Sequence, residues 1–276
     1  MKNILLPTDF STNSLNAMTY AMQLFKDQEC TFYVLNVQKH SEFILDDLMA
    51  APTTTTLHSA IAQDNKKELH QLVTQLKEDN NNQNFTFKKL FDFDSLTAAI
   101  KQVVASEIID LIIMGSNGAT GAKEVIFGSN TLKVIRSVQC PILVIPENYN
   151  FKPIDSILFS IEDCKGLKKN QIKPLIQIKE MHQSSLSVLE LNPNNEMDKA
   201  NLKTCLKDLF EDTPFNYHSI GSVPIPMAIN STIQLLNFDM HTLSIEPKSF
   251  LNRFVFGTKD YEICYGTMVP LLVLRP

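Results

Sequence analysis

The chain has 276 residues, 44% hydrophobic and 20% charged, with a formal charge of −5, the balance of a folded protein of one large or two ordinary domains and not of a disordered chain. Residues 1–150 hold 12 Lys and Arg against 16 Asp and Glu, and the remainder 13 against 14, so neither half has the basic surplus that binding a nucleic-acid backbone requires. Five scattered cysteines (Cys30, Cys140, Cys164, Cys205, Cys264) form no CxxC pair, which argues against a disulfide framework and a structural zinc site.

In chain order, Asn3–Leu6 reads as an apolar strand ending at Pro7. Ser11 or Thr12 can cap a helix with Leu15, Met18, Met22 and Phe25 at helical spacing. Thr31–Val37 is a second strand, followed by a polar stretch and a helix carrying Leu57, Ile61, Leu69, Leu72, Val73 and Leu76. Phe85–Phe91 is a third strand and Ser95–Glu107 a helix. Asp110–Met114 is a fourth strand, almost wholly apolar, as a strand covered on both faces should be. A glycine-rich loop then leads to a helix at Asn130–Ser137 and a fifth strand at Pro141–Ile145. Such alternation implies a mainly parallel sheet with helices on both faces.

The same order recurs through Ile157–Ile161, Lys169–Lys179, Ser185–Leu191, Asn195–Phe210, Phe215–Ile220, Met227–Phe238, Met240–Ile245 and Leu271–Leu274. Two stretches align directly. ILLPTDFS (Ile4–Ser11) lies over ILFSIEDC (Ile157–Cys164), and FGSNTLKVIRSVQCPILVIP (Phe127–Pro146) over FGTKDYEICYGTMVPLLVLR (Phe256–Arg275) without a gap. The chain is thus read as two copies of one unit, residues 1–148 and 152–276, divided near Glu147–Lys152. The polar loop Gln38–Thr56 is the part missing from the shorter second copy.

Four of the eight glycines lie between Gly115 and Gly128. Glycine after a parallel strand permits φ > 0 and lets backbone N–H groups approach a ligand. Gly128-Ser129-Asn130-Thr131 then opens a helix whose free N–H groups suit a phosphate. The spacing excludes a P-loop, because Thr120 and Lys123 stand where its second glycine would be. It also excludes a dinucleotide fingerprint, which follows the first strand rather than the fourth.

Gly115-x2-Gly118-x9-Gly128-Ser129, with ILLPTDFS at the start and CPILVIP at the end of the first copy, resembles the ATP-binding branch of the universal stress protein family. The resemblance implies two tandem open, mainly parallel five-stranded sheets with helices on both faces, a Rossmann-like α/β fold of the adenine nucleotide alpha hydrolase-like type. It also implies ATP, with Mg2+, held in the first copy. Pro7, Thr8, Asp9 and Val37 would meet the adenosine; Met114, Gly115, Gly118, Gly128, Ser129, Asn130 and Thr131 would surround the phosphates. In the second copy Ser160 replaces Pro7, Glu162 replaces Asp9, Ser244 replaces Gly115 and Pro247 replaces Gly118, so no nucleotide is expected there.

The expected protein is a cytoplasmic, non-enzymatic ATP-binding stress-response regulator with neither nucleic acid nor membrane as partner. Its two copies would pair through their last strands as an internal pseudo-dimer, and a further homodimer is compatible with the sequence. The rival readings are a slow ATP-hydrolysing or phosphate-transferring enzyme and a nucleotide-free scaffold. Plainer roles stand beside the site residues: Gly115 and Gly118 can shape a turn, Asp9 can cap the first helix, and Glu124 can lie on a solvated face. The six histidines show no ligand spacing.

Overall fold

The computed structural model describes residues 1–38, 54–116, 127–164, 167–191, 196–244 and 268–275. The first half runs β1 (Asn3–Thr8), α1 (Thr12–Leu24), β2 (Cys30–Val37), α2 (Thr54–Asn80), β3 (Phe85–Asp92), α3 (Leu96–Glu107), β4 (Leu111–Gly115), α4 (Ser129–Ser137), β5 (Ile142–Ile145). The second runs β6 (Ser156–Ile161), α5 (Lys169–His182), β7 (Ser185–Leu191), α6 (Glu196–Phe210), β8 (Asn216–Ile220), α7 (Ile225–Leu236), β9 (Met240–Ser244), β10 (Leu271–Leu274).

The strands form one sheet in the order β3-β2-β1-β4-β5-β10-β9-β6-β7-β8. Read inward from either edge, the order is the same in both halves. Neighbours are parallel except at the centre, where β5 and β10 run antiparallel with Leu272 opposite Leu143. Two five-stranded sheets are therefore joined as a continuous one of ten. Four apolar residues on each central strand, ILVI and LLVL, are all buried.

Alternation along β1 sends Ile4 and Leu6 to one hydrophobic layer and Leu5 to the other, which explains its unbroken apolar run. The first layer lies under α1, α2, α5 and α6, and includes Met18, Phe25, Leu69, Leu175 and Leu206. The opposite layer takes Ile100 of α3, Val134 of α4 and Ile229 of α7. Both layers cross the central joint, one through Leu143 and Leu272 and the other through Val144 and Leu271.

The segment between β5 and β6 is tied down. Tyr149 accepts from the Asn16 amide at 3.2 Å, and Phe151 meets the Tyr20 ring edge-on at 5.2 Å. Lys152 pairs with Asp239 at 2.8 Å. Across the halves, the His182 Nε2–H donates to the Leu24 carbonyl at 3.1 Å. Burial pushes the His182 pKa down, outweighing that hydrogen bond.

Two sequence expectations need correction. The first strand continues through Pro7 to Thr8. Pro7 is tolerated because β4 pairs with β1 only at Ile4 and Leu5, so the N–H that proline lacks has no ladder partner to serve on that side. The cysteines also contain a disulfide, Cys164–Cys205, which joins the β6–α5 loop to α6. No CxxC spacing announces it, since the two meet only when α6 packs beside that loop.

Candidate functional site

The turn after β1 is built by short polar side chains. Ser11 caps α1, its hydroxyl accepting from the Ser14 N–H at 3.3 Å. Asp9 Oδ1 accepts from both the Ser11 N–H at 3.1 Å and the Ser11 hydroxyl at 2.5 Å. The Thr8 hydroxyl accepts from the Phe10 N–H and lies 2.9 Å from the Ser14 hydroxyl. Between them Phe10 takes a φ of 60°, a left-handed conformation that a bulky residue rarely adopts. The surrounding bonds hold this strained residue and thereby fix the direction in which Asp9 leaves the strand.

On the other side, β4 ends at Gly115, and its glycine has a packing cause. A β-carbon there would stand 3.0 Å from the backbone oxygen of Asn13, in the first turn of α1. Ser116 donates its N–H to the Ile145 carbonyl at 2.8 Å and accepts from the Gly128 N–H at 2.7 Å. Gly128 caps α4, and Thr131 Oγ1 donates back to the Gly115 carbonyl at 3.0 Å. These bonds seat the N-terminus of α4 beside the end of β4. The Gly128 N–H and the Thr131 hydroxyl proton are consumed in doing so. The N–H groups of the first turn of α4 remain to be offered to an anion.

These pieces enclose a cleft of about 210 Å³ at the carboxyl ends of β1, β2 and β4. Pro7, Thr8, Asp9, Val37, Met114, Gly115, Asn130 and Thr131 line it together. Gly128 and Ser129 are set back from the lining, at the start of α4, and Gly118 falls outside the described residues. Ser14 and Leu96 also line the cleft and were missed in the sequence. Each stands in the first turn of a helix, where only the folded position reveals which way it faces. Among the described lining residues Asp9 alone is charged. The cleft has an apolar slot lined by Val37, Leu96 and Met114, and the Asp9 carboxylate and the first turn of α4 line it as well. It suits a flat apolar group carrying hydroxyls and an anionic tail.

The corresponding strand ends of the second half are made differently. The Ser160 hydroxyl lies 2.9 Å from His241 Nε2, both fully buried. Burial pushes the His241 pKa down to about 3. Ser244 occupies the position of Gly115 and its hydroxyl is buried. Pro247, Gly257 and Thr258 fall outside the described residues. Among the described residues no group of three or more His, Cys, Asp and Glu could hold a metal, and no helix is long and apolar enough to cross a membrane.

Fold and cleft together define an α/β protein of the class that binds ligands beyond the carboxyl ends of a parallel sheet, where neighbouring crossovers diverge. Residues 1–146 match the model of the universal stress protein family, and the chain belongs to that family. It is 28% identical over 152 residues to the universal stress protein MJ0531 of Methanocaldococcus jannaschii, covering 52% of this chain and 81% of that one. With MJ0577 of the same organism it shares 27% over 154 residues, 52% of this chain and 94% of the relative. Over its whole length it shares the fold of a universal stress protein from Archaeoglobus fulgidus, with a TM-score of 0.72, 16% identity, and coverage of 99% and 98% of the two chains.

Proposed function

We propose that the first half, residues 1–148, binds ATP in the cleft between β1, β2 and β4, and that the protein acts as a non-enzymatic regulator in a stress response. The observation that carries this is the convergence of Asp9, Val37, Met114 and the first turn of α4 on one cleft. Adenine fits the apolar slot, the ribose hydroxyls fit Asp9 as acceptor, and the phosphates fit the N–H groups at the start of α4. Mg2+ would ride on the phosphates, as it commonly does. The reading includes binding without rapid turnover, which the rate of ATP hydrolysis decides.

The second half, residues 152–276, is then a partner that closes the sheet and carries no nucleotide. Its Ser160, at the position that Pro7 takes in the first half, lies 2.9 Å from the buried His241 ring nitrogen. The antiparallel β5–β10 joint supports the internal pseudo-dimer.

Mass spectrometry of small molecules released from the purified protein tests the reading, together with calorimetric titration. ATP at one equivalent per chain is the expected result. Two equivalents, or none, would refute it. Hydrolysis faster than about 1 per second would place the protein among ordinary enzymes instead.

A further inference from the structure

Asn36 stands at the end of β2, one residue before Val37, and parallel pairing sets it opposite Thr8. It is 4% exposed. Its Nδ2 donates to the Thr8 carbonyl at 2.9 Å, while its Oδ1 is buried with no partner among the described residues. That carbonyl belongs to the peptide joining Thr8 to Asp9. On the β4 side, β1 is paired only at Ile4 and Leu5, so within the sheet its last residues are held from the β2 side. The Asn36 amide therefore fastens two strand ends at the point where each leaves the sheet. The next residues along the chain, Asp9 and Val37, both line the cleft.

The second half provides a natural contrast. Thr8↔Asn36 is the last pair of β1 and β2, and Ile161↔Glu190 is the last pair of β6 and β7. Glu190 is 1% exposed. A carboxylate has no N–H to offer the Ile161 carbonyl. Its Oε2 instead accepts from the Tyr217 hydroxyl at 2.5 Å and the Ser219 hydroxyl at 2.7 Å, both on β8. The side chain that fastens β2 to β1 in the first half thus fastens β7 to β8 in the second.

We infer that Asn36 is a positioning residue for nucleotide binding, acting through the Thr8 carbonyl to hold Asp9 where a ribose hydroxyl meets it. This rests on the reading of the cleft as an adenine nucleotide site. Asn36 does not line the cleft, so its effect passes through Asp9 rather than through contact.

The test is titration of wild type and of Asn36→Asp with ATP and with 2′,3′-dideoxy-ATP, which lacks the ribose hydroxyls. Asn36→Asp keeps the shape and, titrated at about pH 8 or above so that the carboxyl is ionised, replaces the donor with an acceptor. ATP affinity should fall about ten-fold, the scale of one hydrogen bond lost, while dideoxy-ATP affinity changes little. The preference for ATP over its dideoxy analogue then shrinks toward one, a result that general loosening of the fold would not give. A folded variant that keeps the wild-type preference overturns the inference. Should the variant fail to fold, the Asn36 side-chain amide signal of 15N-labelled wild type serves instead. It should shift on saturation with ATP and much less with dideoxy-ATP, and a signal that ignores both overturns the inference. Wild type that binds no ATP refutes the nucleotide reading itself. Wild type that binds while Asn36→Asp discriminates as before refutes only the role of Asn36.

Discussion

Gly115 and Asn13 meet so closely that a β-carbon on the first would lie 3.0 Å from the backbone oxygen of the second. The end of β4 and the first turn of α1 are thus in direct backbone contact. The absence of a side chain at position 115 is a condition of that packing as well as of an open cleft. Gly115→Ala should cost about 1–3 kcal/mol, the usual cost of overpacking a tight site, and Gly115→Val more. Because α1 would be displaced at the turn that carries Asp9, ATP affinity should fall alongside stability. Urea unfolding and calorimetry on the same samples check both. An unchanged unfolding midpoint in Gly115→Ala would show that α1 yields easily.

The buried Ser160–His241 pair makes stability depend on pH. Burial holds the folded pKa of His241 near 3, against an ordinary unfolded value of about 6.5. Its neutral form is the one the fold accepts. Stability is therefore fully present above about pH 6.5 and falls as pH drops from there toward 3, by at most ~1.4 kcal/mol per pH unit for one proton. His182, also pushed down by burial, adds in the same direction. Urea denaturation between pH 7.5 and 4.5 measures the slope. A variant carrying Ser160→Ala with His241→Ile, which removes donor and acceptor together, should lose part of it. An identical slope would place the acid sensitivity elsewhere.

Much of this organisation was legible in the sequence, and for a physical reason. Strands buried on both faces must be apolar throughout, so β1, β4, β5 and β10 stand out as short hydrophobic runs, and the matched ends of the two halves show which strands correspond. The lining residues Pro7, Asp9, Val37 and Met114 are named through the resemblance of ILLPTDFS and the glycine motif to the family, not through composition or periodicity. What stayed hidden depends on distance between residues far apart in the chain. Asn36 looks like any polar residue until register sets it beside Thr8. The need for glycine at 115 comes from Asn13, not from a ligand alone. Phe10 gives no sign of its positive φ.

The same holds for the disulfide, which leads to a chemical prediction. Cys164 and Cys205 are 41 residues apart, and closing a loop of that length stabilises by about 4 kcal/mol in the chain-entropy view. A peptide map made without reductant should show Cys164 joined to Cys205. Burial pushes the Cys30 thiol up to about 11 and the Cys140 thiol up to about 12, so both remain protonated near neutral pH and should alkylate slowly in the native protein. Reductant should lower the unfolding midpoint, and Cys205→Ser should lower it similarly and remove the effect of reductant. Four freely alkylating thiols among these positions in the oxidised native protein would contradict the assignment.

The joint between β5 and β10 predicts the behaviour of the halves when separated. Within the chain, Ile142, Leu143 and Val144 face Val273, Leu272 and Leu271 across an antiparallel ladder, and both hydrophobic layers continue through it. Cutting after residue 148 removes the partner strand and leaves β5 as an edge with unpaired backbone groups and apolar side chains, the feature that drives edge-to-edge association. The intact chain avoids this because the tethered second half has a local concentration on the order of millimolar for a short connection. That connection is itself anchored, by Lys152 to Asp239 and by Tyr149 to Asn16, which raises the advantage further. A fragment of residues 1–148 should therefore self-associate, as a dimer built on β5 or as larger aggregates, and Val144→Lys in the fragment should shift it toward monomer. Size-exclusion chromatography with light scattering reads both outcomes. A fragment that is a stable monomer and binds ATP as tightly as the full chain would show that the second half is not needed to complete the sheet.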